Sequence, residues 1–138
     1  MIHWVRHGQS TWNAIHKMQG HALHPALTEL GRAQARSAAA DLARVGASRL
    51  ITSPAKRARQ TADVIAGHTG LSVEVDARLL EKGLDEHTEN VARRLDDFLL
   101  SADDSDWIVV SHGDVIALAR ARAGLGTDIP DNGSVTAI

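Results

Sequence analysis

Short apolar runs alternate with longer segments of helical period along the whole chain, and no other feature restricts the fold as much. Ile2–Arg6, Arg49–Thr52, Leu71–Val75 and Trp107–Ser111 read as strands. Between the first two, Thr28–Val45 predicts a helix: Thr28 suits the N-cap, Glu29 the first turn and Gly46 the stop. Its apolar or small residues Leu30, Ala35, Ala38, Ala39, Leu42 and Val45 recur at roughly helical spacing. Ser53-Pro54 predicts a second helix running to about Ala66, with Ser53 as cap and Pro54 in the first helical position. Thr88–Leu100 carries the apolar stripe Val91, Leu95, Phe98 and Leu99, Asp114–Ala123 forms a further helix, and Val135–Ile138 suits a closing strand at a sheet edge. Strands alternating with helices predict an α/β fold: a three-layer α/β/α sandwich, with a mostly parallel sheet of about five strands and helices on both faces. At 138 residues the chain is expected to form a single domain over 1–138. The least regular stretch is Gln9–Leu27, and long structured loops in such folds often carry function.

Composition excludes several classes of function. The chain has no cysteine, which removes thiol catalysis, thiolate metal sites and a disulfide scaffold, and fits a reducing compartment. Charge is nearly balanced, with 15 Lys+Arg against 17 Asp+Glu, and no basic run points to nucleic acid. Three Trp, one Phe and no Tyr make a base-stacking platform a poor expectation. No apolar stretch approaches the roughly 20 residues of a membrane span. Met1 leads directly into the first strand, leaving no room for a signal peptide. The expectation is a soluble cytoplasmic domain with no membrane partner.

Three strand ends carry residues unusual in a core. Arg6-His7-Gly8 follows the first strand, Ser53-Pro54-Ala55-Lys56-Arg57 the second, and Ser111-His112-Gly113 the fourth. In a parallel sheet these ends share one edge, where open α/β sheets keep their ligand crevices. Two arginines, two histidines and two helix N-termini would then converge, a combination suited to a phosphate. The histidines add chemistry, because a neutral imidazole can attack phosphorus and form an N–P bond. Arg6, Arg57 and His112 would hold the charge of the transferring group, and Gly8 and Gly113 would let backbone approach it. Glu81, after the third strand, is the candidate proton donor for the leaving oxygen.

These segments resemble the histidine phosphatase superfamily, in its phosphoglycerate-mutase-like branch. The resemblance runs through Val5-Arg6-His7-Gly8-Gln9-Ser10-Thr11-Trp12-Asn13, Gln19-Gly20, Leu27-Thr28-Glu29-Leu30-Gly31 with Gln34-Ala35, and Ser53 to Ala62. It continues through Glu81, Val110-Ser111-His112-Gly113 and Asn132-Gly133-Ser134-Val135. It implies His7 as the phosphohistidine nucleophile, and Arg6, Arg57 and His112 as phosphoryl ligands. Asn13 would contact phosphate at the rim with Ser10 nearby, and Glu81 would donate the proton. It also implies no metal and no cofactor. In many members of the family a Gly-aromatic-Glu-Gly stretch and a sizeable insertion follow the acid and cover the site. Here only Lys82–His87 separate Glu81 from the next helix. That leaves Glu81 and Glu86 both open as the acid.

Other features have plainer readings. Lys56 and Arg59 fit solvated helix charges. His16, His21 and His24 do not share one helix face and Pro25 interrupts them, so they suggest a loop lining the substrate pocket, with His21 the candidate, rather than a zinc site. Trp4, Trp12 and Trp107 suit core or pocket walls. The expected function is hydrolysis of a small-molecule phosphomonoester through phosphohistidine. The alternatives are a mutase, which needs closure against water, and a binding protein for phosphorylated ligands. Sugar phosphates, phosphoglycerate derivatives, cofactor-pathway intermediates and phosphohistidine on a partner protein all fit this chemistry.

Overall fold

The computed structural model describes residues 1–138 and orders five strands as β3-β2-β4-β1-β5. In chain order the elements are β1 (Ile2–Arg6), α1 (Thr11–Ala14), α2 (Glu29–Leu42), β2 (Arg49–Thr52) and α3 (Lys56–Thr69). After them come β3 (Val73–Val75), a 3₁₀ turn (Ala77–Leu79), α4 (Thr88–Leu100), β4 (Trp107–Ser111), α5 (Gly113–Arg122) and β5 (Val135–Ala137). β1 through β4 run parallel, and β5 pairs antiparallel with β1 at one edge. No helix is long and apolar enough to cross a membrane.

The three layers follow from strand residues that are apolar on both faces. Successive side chains point to opposite sides of a strand. Ile2, Trp4, Ile51, Trp107 and Val109 therefore face one way and pack with Val91, Leu95 and Phe98 of α4 and Val115, Ile116 and Ala119 of α5. Val5, Leu50, Ile108 and Val110 face the other way, against Ala38, Ala39 and Leu42 of α2 and Ala58, Ala62 and Ile65 of α3. The alanine stripes let α2 and α3 lie close to the sheet. Trp4 and Trp107 flank Phe98 edge-on, with centroids 6.0 and 6.2 Å away, and belong to the core.

Thr28 caps α2, its hydroxyl accepting from Gly31 N at 3.0 Å. The expected start of the next helix needs correction. α3 begins at Lys56 with Ala55 as an uncapped N-cap, and Ser53-Pro54 lie outside it, the chain bending at Pro54 and Ala55. The Ser53 hydroxyl lies 2.7 Å from His112 Nε2 instead. The carbonyl of Leu23, from the long loop, accepts from Lys56 N at 2.9 Å at the uncapped end. Gly8 also has a packing role: a Cβ there would overlap the carbonyl of Gly31, so Gly8 makes room for the start of α2.

Candidate active site

Register brings the three strand ends together. Arg6 pairs with Ser111 across β1 and β4, and Thr52 with Val110 across β2 and β4. The ladder runs one step further through His7 N to Ser111 O (3.1 Å) and Ser53 N to Val110 O (3.0 Å). His7, Ser53 and His112 thus leave the sheet side by side. The rings of His7 and His112 stand 5.1 Å apart in an edge arrangement, both essentially buried.

His7 Nδ1 lies 2.7 Å from the Gly8 carbonyl. A carbonyl only accepts, so Nδ1 carries the proton and Nε2 keeps its lone pair. Burial pushes the His7 pKa well below 6.5, and His112, Arg57 and Arg6 push the same way. Burial likewise lowers His112, helped by Arg57 and Arg6. The Glu81 carboxylate sits 3.3 Å from His112 Nδ1, which favours the proton on Nδ1 and lets Ser53 donate to Nε2.

Both arginines are anchored by backbone. Arg6 Nη1 donates to Pro130 O and Arg57 Nη1 to Ala22 O, each at 2.7 Å. Gly113 leaves the space for Arg6: a Cβ there would come within 3.2 Å of Arg6 Nε, besides striking Ile129. Arg6 Nε and Arg57 Nε are buried without a hydrogen-bond partner, and His112 Nδ1 has only the 3.3 Å approach of Glu81. Glu81 completes the cluster, accepting from Arg57 Nη2 at 3.1 Å and from Gly20 N at 2.9 Å. His7, Glu81 and His112 offer ligand atoms within 4.8 Å of one another. The adjacent guanidinium charges that disfavour a proton on these histidines oppose a metal cation in the same way.

A cleft of about 600 Å³ meets this cluster at Arg6 and Glu81 and is walled by Asn13, Gln19, Asp114 and Asn132 among others; His7, Arg57 and His112 lie buried behind that lining. Asn13 lies on its wall, its Oδ1 taken by Ser10 N at 3.0 Å, which leaves its amide nitrogen for an anion. Asn132 donates to the His7 carbonyl at 3.1 Å. Burial raises the Asp114 pKa, and the Glu81 charge adds to the rise.

Ser10 is not brought into the cluster. It is fully buried, caps α1 and donates to Gln19. His21 also stands apart, exposed, 3.3 Å from Glu86 and against Gly83. His24 stacks edge-on to Trp12 at 5.0 Å, and His16 reaches the cleft wall from a left-handed backbone (φ 55°). The histidine triplet is thus dispersed. Glu86 is turned toward α4, where two bonds from Arg94 hold its pKa at about 2. Ser53, Asp114 and the Gly20 amide were missed by sequence reasoning. Asp114 had a signal in its place two residues after His112; the Gly20 contact, which spans 61 residues, had none.

Residues 2–89 match the model of the histidine phosphatase superfamily (branch 1). The chain belongs to this superfamily. Among curated relatives, the probable phosphoglycerate mutase GpmB of Erwinia tasmaniensis is 37% identical over 106 residues, covering 77% of this chain and 46% of the relative. That of Yersinia pestis is 40% identical over 80 residues, covering 58% and 37%. The chain thus matches less than half the length of these relatives. A mycobacterial glucosyl-3-phosphoglycerate phosphatase solved with VO3 superposes with a TM-score of 0.83 at 28% identity, over 98% of this chain and 90% of that one. A phosphoserine phosphatase from Entamoeba histolytica, solved with 3-phosphoglyceric acid, shares the fold at TM-score 0.80 and 19% identity, over 98% and 88%. The strand ends of this superfamily member lie on one edge of the sheet, where open α/β folds keep their ligand crevice.

Proposed function

We propose that residues 1–138 form a single catalytic unit that hydrolyses phosphomonoesters through a covalent phosphohistidine on His7. The observation that carries this reading is the pair of buried, unpartnered guanidinium nitrogens, Arg6 Nε and Arg57 Nε, close to a histidine kept neutral. An unpaired buried donor costs about 1–3 kcal/mol, and the oxygens of a phosphoryl group would supply the missing acceptors. The transition state of phosphoryl transfer spreads charge over those oxygens, and fixed cationic donors stabilise it.

In the first half-reaction His7 Nε2 attacks phosphorus, the bond to the ester oxygen breaks, and Glu81 gives its proton to that oxygen. In the second, water attacks phosphorus while the Glu81 carboxylate takes its proton, the N–P bond breaks, and phosphate leaves. Glu81, between Arg57 and His112, has the position for both transfers; Glu86, committed to Arg94, does not. Positive charge comes from Arg6 and Arg57, so the chemistry needs no metal. The substrate is a small phosphorylated molecule, in keeping with the superposed phosphatases. Phosphoryl return to a second hydroxyl, the mutase reading, is favoured by the names of the curated relatives. The short Lys82–His87 connection and the open cleft argue for water as acceptor.

Assays with p-nitrophenyl phosphate and 3-phosphoglycerate, without added metal, test this. Hydrolysis abolished by His7→Ala supports it. Conversion of 3-phosphoglycerate to its 2-isomer replaces it with the mutase, and phosphate binding without turnover replaces it with a binding protein.

A further inference from the structure

Glu81 sits on a connection with no cap to pack against, yet its backbone is tied down on both sides. Arg94 Nη2, from α4, donates to the Glu81 carbonyl at 3.3 Å. Lys82 N donates to Asp114 Oδ2, from α5, at 3.0 Å. The two ends of one peptide unit, between Glu81 and Lys82, are therefore held by side chains from two different helices. Arg94 is itself fixed: Nε and Nη2 bond the two Glu86 oxygens at 3.0 and 2.9 Å, and Nη1 bonds the Arg78 carbonyl at 2.8 Å. Glu86 also accepts from Gly83 N at 3.0 Å and from Asn90, closing the connection on itself. On the upstream side, Ser111 Oγ donates to the Leu79 carbonyl at 2.7 Å. The Arg94 and Glu86 side chains are only 16% and 9% exposed, so this ion pair is shielded far better than an ordinary surface bridge.

We infer that Arg94 is a positioning residue for Glu81: braced by Glu86, it clamps the Glu81–Lys82 peptide opposite Asp114 and so aims the carboxyl at the leaving oxygen. The inference rests on the reading of Glu81 as proton donor. Arg94 acts only through backbone and touches neither phosphate nor nucleophile. A planar guanidinium is required, since it must span two carbonyls and a carboxylate together. General acid catalysis depends on hydrogen-bond reach, and a carboxyl displaced by an ångström loses much of its effect.

The consequence is specific to the leaving group. p-Nitrophenolate departs without a proton; an alkoxide does not. In Arg94→Ala, kcat/KM for glycerol 2-phosphate falls by about tenfold, part of the roughly 10²–10⁴-fold that a general acid supplies. That for p-nitrophenyl phosphate stays within about twofold, and so does inhibition by inorganic phosphate. Glu81→Gln, run beside it, shows the same selectivity more strongly. If Arg94→Ala does not fold, Arg94→Lys, which keeps a charge for Glu86 but cannot reach both carbonyls, reads the same ratio. Equal losses on both esters, or no loss on either, with Glu81→Gln still selective, overturn the clamp alone. A Glu81→Gln variant that treats both esters alike overturns the assignment of Glu81 as donor.

Discussion

His7 is neutral because of its surroundings rather than its type. It is buried beside His112 and two arginines, and each of these disfavours the imidazolium. The acid limb of kcat/KM contributed by His7 therefore falls below pH 6.5, its ordinary value; a limb at or above that value contradicts the assignment. Ser53 orients His112 through one bond of 2.7 Å. Ser53→Ala leaves a buried ring nitrogen unpaired, at about 1 kcal/mol or more, and kcat/KM falls by about tenfold while phosphohistidine still forms. Wild-type rates in that variant show the bond to be idle. Arg6, His7, Arg57 and His112 were legible in the sequence because cations and imidazoles at strand ends have few structural uses. Ser53 was not, because a hydroxyl before a helix serves equally as its cap, and only the register of β2 against β4 turns it toward His112. Ser10 shows the converse: its hydroxyl, beside the motif, is taken up by α1 and Gln19.

Elements set the geometry that these residues use. One step of register between β1 and β4 would turn His7 to the opposite face of the sheet; it would also drive Trp4 or Trp107 into the face that packs closely on the alanines of α2 and α3, which opposes it. The loop after β1 is held by the close approach of Gly8 to Gly31 at the start of α2. Gly8→Ala forces backbone apart, destabilising the fold by about 1–3 kcal/mol and lowering Tm, with activity lost in parallel. An unchanged Tm shows that the loop yields at no cost. Strand and helix types were legible from periodicity, and most boundaries lie within a few residues of those expected. The start of α3 was not, because its first amide is satisfied from a distant loop by Leu23 rather than by a local cap. The connection after Glu81 was legible as short, but not as braced, since the contacts from Arg94 and Asp114 span 13 and 32 residues of sequence.

For the whole molecule, pH couples the site to stability. His7 and His112 resist protonation when folded and accept it readily when unfolded. The unfolded chain therefore binds more protons below about pH 6.5. Stability is full above that value and is lost as pH falls toward their lowered pKa values. Asp114, raised in the fold, works in the opposite direction at lower pH and offsets part of the loss. Tm measured without phosphate falls between about pH 7 and pH 5, less steeply in His112→Gln; a flat Tm in both proteins removes this coupling. The central claim is the bond between His7 and phosphorus. Mixing the protein with a phosphomonoester, quenching in alkaline denaturant and mapping the peptides by mass spectrometry tests it directly. The account predicts one phosphoryl group on the peptide containing His7, stable in alkali, released by acid and absent from His7→Ala. Turnover by the wild-type protein with that peptide never modified, or with the phosphoryl group on another residue, contradicts it.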